Sequence, residues 1–255
     1  MFLCVDIGNS SITVGMFEDG NLVKASSFGY QKKFSKYIIE NILSGILKDE
    51  IISGCAVASV SGEMTPLVCE NIEQICDVIP LEITNDMNLG FKIKAKKPEL
   101  VGIDRIANIS AVCKMYSEPV IVVDFGTATT FDIKDAKQNF IGGLIMPGIG
   151  TQLKSLADNT SRLPNVDFKE YEQVKKVINT DTKKSMLTGV VKGHVHAVEG
   201  LLEDCIKELK TKPVIIATGG YAEFISKFEK LSKFDSVDRH LTIRGIREIY
   251  KLNSD

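Results

Sequence analysis

The sequence has no excess of basic residues. It contains 31 lysines and arginines against 33 aspartates and glutamates, which leaves a net charge of −2 over 255 residues. A protein that binds nucleic acid nonspecifically needs a positive excess to neutralise phosphates. A local basic patch is compatible with this balance, but we expect no nucleic-acid partner.

Long apolar runs are also missing. The longest stretches, such as Val120–Val123, are far shorter than the roughly 20 residues that cross a bilayer. The first residues include no basic segment, and Asp6 interrupts their apolar run, which is unlike a secretory signal. We therefore expect no membrane partner and a cytoplasmic location.

Paired cysteines and the common nucleotide-binding signatures are absent too. No C-x-x-C pair occurs, so the six scattered cysteines are predicted to be reduced core thiols rather than disulfides or zinc ligands. The G-x-x-x-x-G-K-[ST] and G-x-G-x-x-G patterns and a nucleophile elbow are missing. His194 and His196 lie two residues apart and would point to different sides of a helix, so a metal-binding histidine pair is not expected.

The sequence does contain an internal duplication. An apolar strand, an Asp-x-Gly-[Asn/Thr] turn and a second strand occur at Asp6 and again at Asp124, 118 residues later. A repeat at about half the chain length predicts two similar α/β halves, residues 1–116 and 117–255. Two such halves facing each other would form a cleft, with one turn on each wall.

Residue patterns predict further elements around these turns. Glu18–Asn21 carries the Asp-Gly signal of a tight hairpin, and the polar residues 158–180 are expected to form a loop or an irregular insert. Further predictions are strands over 51–60, 78–83 and 213–218 and helices over 66–76, 182–209 and 241–252, with apolar helical stripes over 34–47 and 106–113.

The two Asp-Gly turns are suited to binding phosphate. Glycine lets an anion approach the backbone amides, and neighbouring serine and threonine hydroxyls are further donors. A bare carboxylate repels phosphate, so Asp6 and Asp124 would hold a cation that in turn holds a nucleotide. The alternative for each aspartate is a cap of its own turn; two matched copies favour the phosphate hypothesis.

A third candidate segment is Gly102–Arg105, at the start of a helical pattern. Asp104 could accept a proton from a hydroxyl group, and Arg105 could bind a carboxylate or phosphate. Taken alone, the pair is more typical of a helix N-terminus, where acidic residues are favoured by the helix dipole. Four lysines just before it fit either a solvated loop or an anion-facing rim: Lys92, Lys94, Lys96 and Lys97.

Together these motifs resemble those of type III pantothenate kinases. Six segments stand in that family's order: Asp6–Asn9, Gly102–Arg105, Asp124–Thr130, Gly142–Gly148, Thr218–Gly220 and Leu241–Ile246. The resemblance implies two ribonuclease-H-like halves of the acetate and sugar kinase/actin superfamily. It also implies ATP-dependent phosphorylation of pantothenate, the first step towards coenzyme A, by a homodimer that requires potassium or ammonium besides Mg²⁺ with ATP.

The resemblance also implies site residues. Its first phosphate loop corresponds to Asp6, Ile7, Gly8, Asn9, Ser10, Ser11, Ile12 and Thr13. Its pantothenate-contacting segment corresponds to Gly102, Ile103, Asp104 and Arg105, with Asp104 as proton acceptor. Asp124 corresponds to the monovalent-cation ligand, Thr127 to an ATP contact, and Thr182 to a substrate contact across the dimer interface.

One position departs from the family pattern. Many members place an aromatic residue three positions before the proline that precedes the substrate motif, where this chain has Ala95 before Pro98. The resemblance implies that this change affects substrate affinity more than reaction type. The alternative function is a nucleotide-binding regulator of the same fold without pantothenate turnover.

Overall fold

The computed structural model describes residues 1–30, 36–229 and 232–254. Contacts divide the chain into two compact units. Unit 1 comprises Met1–Ser117, Lys137–Ile141 and His240–Asp255, and unit 2 comprises Glu118–Ala136 and Gly142–Arg239.

Unit 1 is built on a five-stranded sheet. Its strands are β1 (Phe2–Ile7), β2 (Ser11–Glu18), β3 (Asn21–Gly29), β4 (Gly54–Ser59) and β5 (Leu81–Glu82), in the order β3-β2-β1-β4-β5. The helices of this unit are α1 (Lys36–Leu47), α2 (Met64–Cys76), α3 (Ile103–Met115) and α7 (Leu241–Asn253). A short strand, β6 (Lys92–Ile93), precedes a 3-10 helix at Pro98–Leu100.

Unit 2 repeats this plan. Its strands are β7 (Val120–Phe125), β8 (Ala128–Lys134), β9 (Asn139–Pro147), β10 (Val214–Thr218) and β11 (Ser236–Val237). Its helices are α4 (Ile149–Asp158), α5 (Thr182–Leu209) and α6 (Ala222–Phe228). The first residues of β9 belong to unit 1, where Asn139 and Phe140 pair in parallel with β6.

The two strand orders confirm the predicted duplication and the α/β fold class. From β9 the strands of the second sheet run β9-β8-β7-β10-β11, the same arrangement as β3-β2-β1-β4-β5. In each sheet the Asp-bearing strand pairs antiparallel with the next strand and parallel with the fourth. A strand flanked on both sides within a covered sheet must be apolar on both faces, which explains the almost uninterrupted hydrophobic runs of β1 and β7.

Helix α7 completes unit 1 although it is last in the sequence. It packs against α3, and its buried face includes Leu241, Ile243 and Ile246. The crossing is close at Gly245, where a Cβ atom would overlap the backbone carbonyl of Ala107. Only glycine therefore permits this approach of the two helices.

Several predicted boundaries need correction. The strand expected over 51–60 is confined to β4, and that over 78–83 to the two residues of β5. Residues 158–180 are not wholly a loop, because Phe168–Gln173 forms a 3-10 helix. Its capping box joins Asp167 and Glu170. The following Tyr171 is 4% exposed and lies in the unit 2 core, so apolar burial orders this segment.

The six cysteines are free thiols, and Cys4 and Cys55 are buried. Burial raises the pKa of both groups, as expected of unreactive core residues. Among the described residues, no helix combines the length and the hydropathy needed to cross a membrane.

Candidate functional site

The first predicted phosphate loop follows β1 in unit 1. Asp6 lies in register with Thr13 on β2 and with Ala58 on β4. The chain then turns through Gly8, whose amide donates to the carbonyl of Ser11 at 2.9 Å. Asn9, at the tip, is exposed, as are Ser10 and Ser11, whereas Ile7 and Ile12 are buried and anchor the turn. The loop thus presents its polar groups to solvent from a rigid strand pair.

A tyrosine that the sequence analysis missed holds this loop from behind. The hydroxyl of Tyr30 donates to the carbonyl of Gly8 at 2.6 Å, and its amide donates to the carbonyl of Ser10 at 3.0 Å. Tyr30 is 8% exposed. Its position at the end of β3 follows from the hairpin register, but nothing in its immediate sequence marks it as a loop support.

The corresponding turn of unit 2 joins β7 to β8. Asp124 lies in register with Thr130 on β8 and with Thr218 on the parallel strand β10. The amide of Gly126 donates to the carbonyl of Ala128 at 3.1 Å, which closes a tight turn. Asp124 is therefore placed where the carboxyl ends of β7 and β10 meet, a usual ligand position in α/β sheets.

Two further segments converge on this turn. The carbonyl of Thr127, an exposed tip residue, accepts bonds from the amide of Gly148 at 3.0 Å and from Thr151 Oγ1 at 2.6 Å. Gly219 has φ +91°, and a Cβ atom there would overlap the carboxylate of Asp124. The structure thus brings together three motifs that the sequence suggested separately: the Asp124 turn, the Gly142–Gly148 run and Thr218–Gly220.

The donor set around Asp124 is made of oxygen atoms. Thr218 is fully buried, and within the described chain its Oγ1 has no hydrogen-bond partner. A buried hydroxyl without a partner is costly, so this orphaned oxygen is suited to an added ligand. Carboxylate and hydroxyl oxygens are the donors that hard cations prefer, and the residues present therefore fit such an ion.

The third candidate segment opens α3. Gly102 precedes the helix, and Asp104 lies in its first turn, where Oδ1 accepts a 2.8 Å bond from the amide of Arg105. A Cβ atom on Gly102 would lie 2.5 Å from that same oxygen, so glycine makes room for the carboxylate. Burial raises the pKa of Asp104, while the amide and the charge of Arg105 partly oppose this effect. A carboxylate with a raised pKa is a better proton acceptor.

Arg105 is held beside this carboxylate by an aromatic ring. Its guanidinium lies 5.3 Å from the centroid of Phe140, a cation–π distance. The carbonyl of Phe140 accepts a 2.8 Å bond from the amide of Lys94, which places the chain next to Ala95 near the same ring. Ile103 is buried and fixes the start of the helix, and Lys92, Lys94, Lys96 and Lys97 are all exposed.

Thr182 is the first residue of α5. The side chain of Asp181 caps the helix by accepting a 2.9 Å bond from the amide of Lys184. Thr182 is exposed and belongs to unit 2, whereas Asp104 belongs to unit 1.

No cluster of three or more metal-ligating side chains of the His, Cys, Asp or Glu type occurs within residues 1–30, 36–229 and 232–254. His194 is buried and His196 is exposed, on different sides of α5. The arrangement suits a weakly held, oxygen-bound cation that arrives with a phosphate ligand.

Comparison with known proteins identifies the family of this chain. A family model of type III pantothenate kinases matches residues 2–204. A type III pantothenate kinase of Dictyoglomus turgidum is 34% identical over 99% of this chain and 100% of its own length. One from Persephonella marina is 32% identical over the full length of both.

A solved structure from Campylobacter jejuni, described as a Baf family transcriptional activator, shares the fold. The TM-score is 0.54 at 22% identity, over 99% of this chain and 98% of that one. The family model and the full-length matches show that the chain belongs to the type III pantothenate kinase family.

Proposed function

We propose that this protein transfers the γ-phosphoryl group of ATP to the primary hydroxyl of pantothenate. The product, 4'-phosphopantothenate, begins the route to coenzyme A. Full-length similarity to named pantothenate kinases supports the substrate. The single structural observation that carries the reaction type is the half-buried carboxylate of Asp104, with its raised pKa, beside Arg105.

Asp104 is the general base in this proposal. Its Oδ1 is occupied by the amide of Arg105, so Oδ2 takes the hydroxyl proton of pantothenate. The substrate oxygen then forms a bond to the γ-phosphorus as the bond to the bridging β–γ oxygen breaks, and ADP leaves. Because such transition states are loose, positioning and charge neutralisation supply most of the acceleration. Arg105 would orient the pantothenate carboxylate through its planar fork.

Each unit offers its own candidate phosphate contacts. In unit 1, the loop from Asp6 to Thr13 would offer backbone amides and side-chain hydroxyls to the phosphates. In unit 2, Thr127 would offer its amide and its hydroxyl. Asp6 would hold the Mg²⁺ that accompanies ATP. Asp124, with the hydroxyl of Thr218, would hold a potassium or ammonium ion. When bound, this ion supplies positive charge next to the triphosphate.

A homodimer completes the proposal. Beside the start of α5, Val177 and Ile178 are 65% and 90% exposed. A largely apolar cavity of about 510 Å³ lies along the helix, at the small residues Gly189 and Gly193. A second copy packed on this face would cover the apolar groups, and Thr182 would then border the interface. We expect Gly193→Arg to convert the dimer to a monomer in sedimentation velocity experiments.

A coupled ADP-release assay tests the function. We expect ADP release that requires pantothenate and falls when potassium is replaced by sodium. ATP hydrolysis or binding without a pantothenate requirement would contradict the proposal. It would instead support the nucleotide-binding regulator, which the kinase relatives do not favour.

A further inference from the structure

A buried histidine lies behind the phosphate turns of unit 2 and has no part in the proposed chemistry. His194, on α5, is 1% exposed. Its Nε2 lies 3.0 Å from Thr129 Oγ1 on β8, and its Nδ1 lies 2.7 Å from Gln152 Nε2 on α4. The edge of Phe125, on β7, packs on the ring at a centroid distance of 6.1 Å. One side chain therefore contacts three separate elements.

The hydrogen-bond pattern fixes the tautomer of this histidine. The amide nitrogen of Gln152 also donates to the carbonyl of Pro147 at 2.8 Å, so it is a donor in both bonds. Nδ1 of His194 must then accept, and Nε2 carries the proton and donates to Thr129 Oγ1. Burial lowers the pKa of His194 to about 4, which keeps the ring neutral at physiological pH. Both ring nitrogens are thereby satisfied in one orientation.

The contacts of His194 lie beside the two turns that the proposed function assigns to phosphate binding. Phe125 and Thr129 bracket the turn at Gly126 and Thr127, since they pair with each other across β7 and β8. Pro147 and Gln152 bracket Gly148, whose amide donates to the carbonyl of Thr127. The histidine thus connects both turns from within the buried core.

We propose that His194 is a positioning residue that sets the relative placement of these two turns for the donor phosphates. This inference rests on the proposed function. Directional bonds at both nitrogens determine where β8 and α4 stand relative to α5, which apolar packing alone specifies less sharply. Since the ring is buried, it acts through the turns and not by touching ATP.

The test compares His194→Ala with two matched variants. His194→Gln keeps a side chain that can accept and donate hydrogen bonds. Leu202→Ala removes a fully buried side chain eight residues further along α5. For each protein we would measure Tm, the Kd of a non-hydrolysable ATP analogue, and KM for ATP and for pantothenate. The direct binding measurement does not depend on which acceptor is phosphorylated.

We expect His194→Ala to weaken analogue binding and raise KM for ATP by about tenfold, as removal of supporting hydrogen bonds does at other sites. KM for pantothenate should stay within about twofold, and His194→Gln should recover most of the loss. Leu202→Ala should lower Tm without this selective effect. Equal kinetic losses in His194→Ala and Leu202→Ala at equal Tm, or unchanged analogue binding in His194→Ala, would overturn the proposal.

If His194→Ala does not fold, Gln152→Leu gives the same test from the partly exposed end of the network. It removes the bonds to Nδ1 and to Pro147 and should raise the analogue Kd several-fold. An unchanged Kd in this variant would refute the positioning role. Absence of pantothenate-dependent turnover in the wild type would instead refute the proposed function and leave the binding comparison intact.

Discussion

The carboxylate of Asp124 lies directly against Gly219, so closely that a Cβ atom at the glycine would overlap it. The two residues come from β7 and from the turn after β10, parallel neighbours whose carboxyl ends meet. This contact joins the duplicated Asp-Gly turn to the glycine pair far along the chain. The Asp124 site therefore tolerates no side chain at position 219.

Gly219→Ala is expected to lower the free energy of unfolding by about 2 kcal/mol, because it adds a clash to a backbone with positive φ. Denaturant unfolding measures the loss, and ATP-analogue binding should weaken with it. Gly220→Ala is the matched control for stability, since a Cβ there meets open space. Equal unfolding curves for the two variants would show that the contact is unimportant.

Asp104→Asn is expected to lower kcat by about 10²- to 10⁴-fold, because the amide cannot accept the substrate proton. Because the pKa of Asp104 is raised, the folded protein holds the carboxyl proton more tightly than the unfolded chain does. Stability therefore falls as the pH rises from the unfolded pKa of this carboxyl through its folded pKa. The variant should therefore be at least as stable as the wild type at pH 7 in thermal unfolding. A near-normal kcat in this variant would rule out Asp104 as the general base.

His194 makes stability depend on pH in a defined direction. Its folded pKa of about 4 lies below the ordinary value of 6.5, so the unfolded chain binds the extra proton between these limits. The contribution of His194 to the free energy of unfolding is then fully present above pH 6.5, and about 3 kcal/mol of it is lost as the pH falls to 4. Subtracting the pH profile of His194→Gln from that of the wild type isolates this contribution, and a flat difference would contradict it.

Tyr30→Phe removes the hydroxyl that supports Gly8 and should cost about 1 kcal/mol of stability. The loosened loop should also raise KM for ATP while leaving KM for pantothenate nearly constant. Tyr37→Phe is the control, because Tyr37 is 70% exposed on α1. Steady-state kinetics at several ATP concentrations would detect this change in KM. Identical KM values for ATP in both variants would argue against a role of Tyr30 in supporting the loop.

Gly245→Ala should destabilise unit 1 by about 2 kcal/mol or more, because the methyl group must displace the backbone of Ala107. Gly45→Ala, on an exposed helical position of α1 with open space around it, should stabilise the protein by up to about 1 kcal/mol. Chemical denaturation of both variants compares the same substitution in two surroundings. A similar effect at both positions would contradict the close helix crossing.

The sequence predicts the local elements well and the long-range supports poorly. The hairpin at Glu18–Asn21 and helix α5 were expected, since hydrophobic periodicity and turn residues are local signals. Tyr30 and His194 were not expected as supports. Their partners lie 22 and 65 residues away, and only the folded sheet brings them near.

Other differences between the predicted and the observed elements have local causes. The strand predicted over 78–83 shrinks to Leu81–Glu82, because only two residues pair with β4. The capping box at Asp167 and Glu170 is a signal that could have revealed the 3-10 helix within 158–180. The role proposed for Asp104 comes from the family resemblance, because its local sequence pattern alone is more typical of an ordinary helix start.

The packing of α7 on α3 also has a consequence for the order of events during translation. Unit 1 includes residues 240–255, so its last helix emerges from the ribosome after every residue of unit 2 has been made. Until then the apolar face of α3 that receives α7 stays uncovered, while residues 118–239 can already form their own sheet. Unit 1, whose first residues are synthesised before those of unit 2, is therefore the unit whose synthesis is completed last.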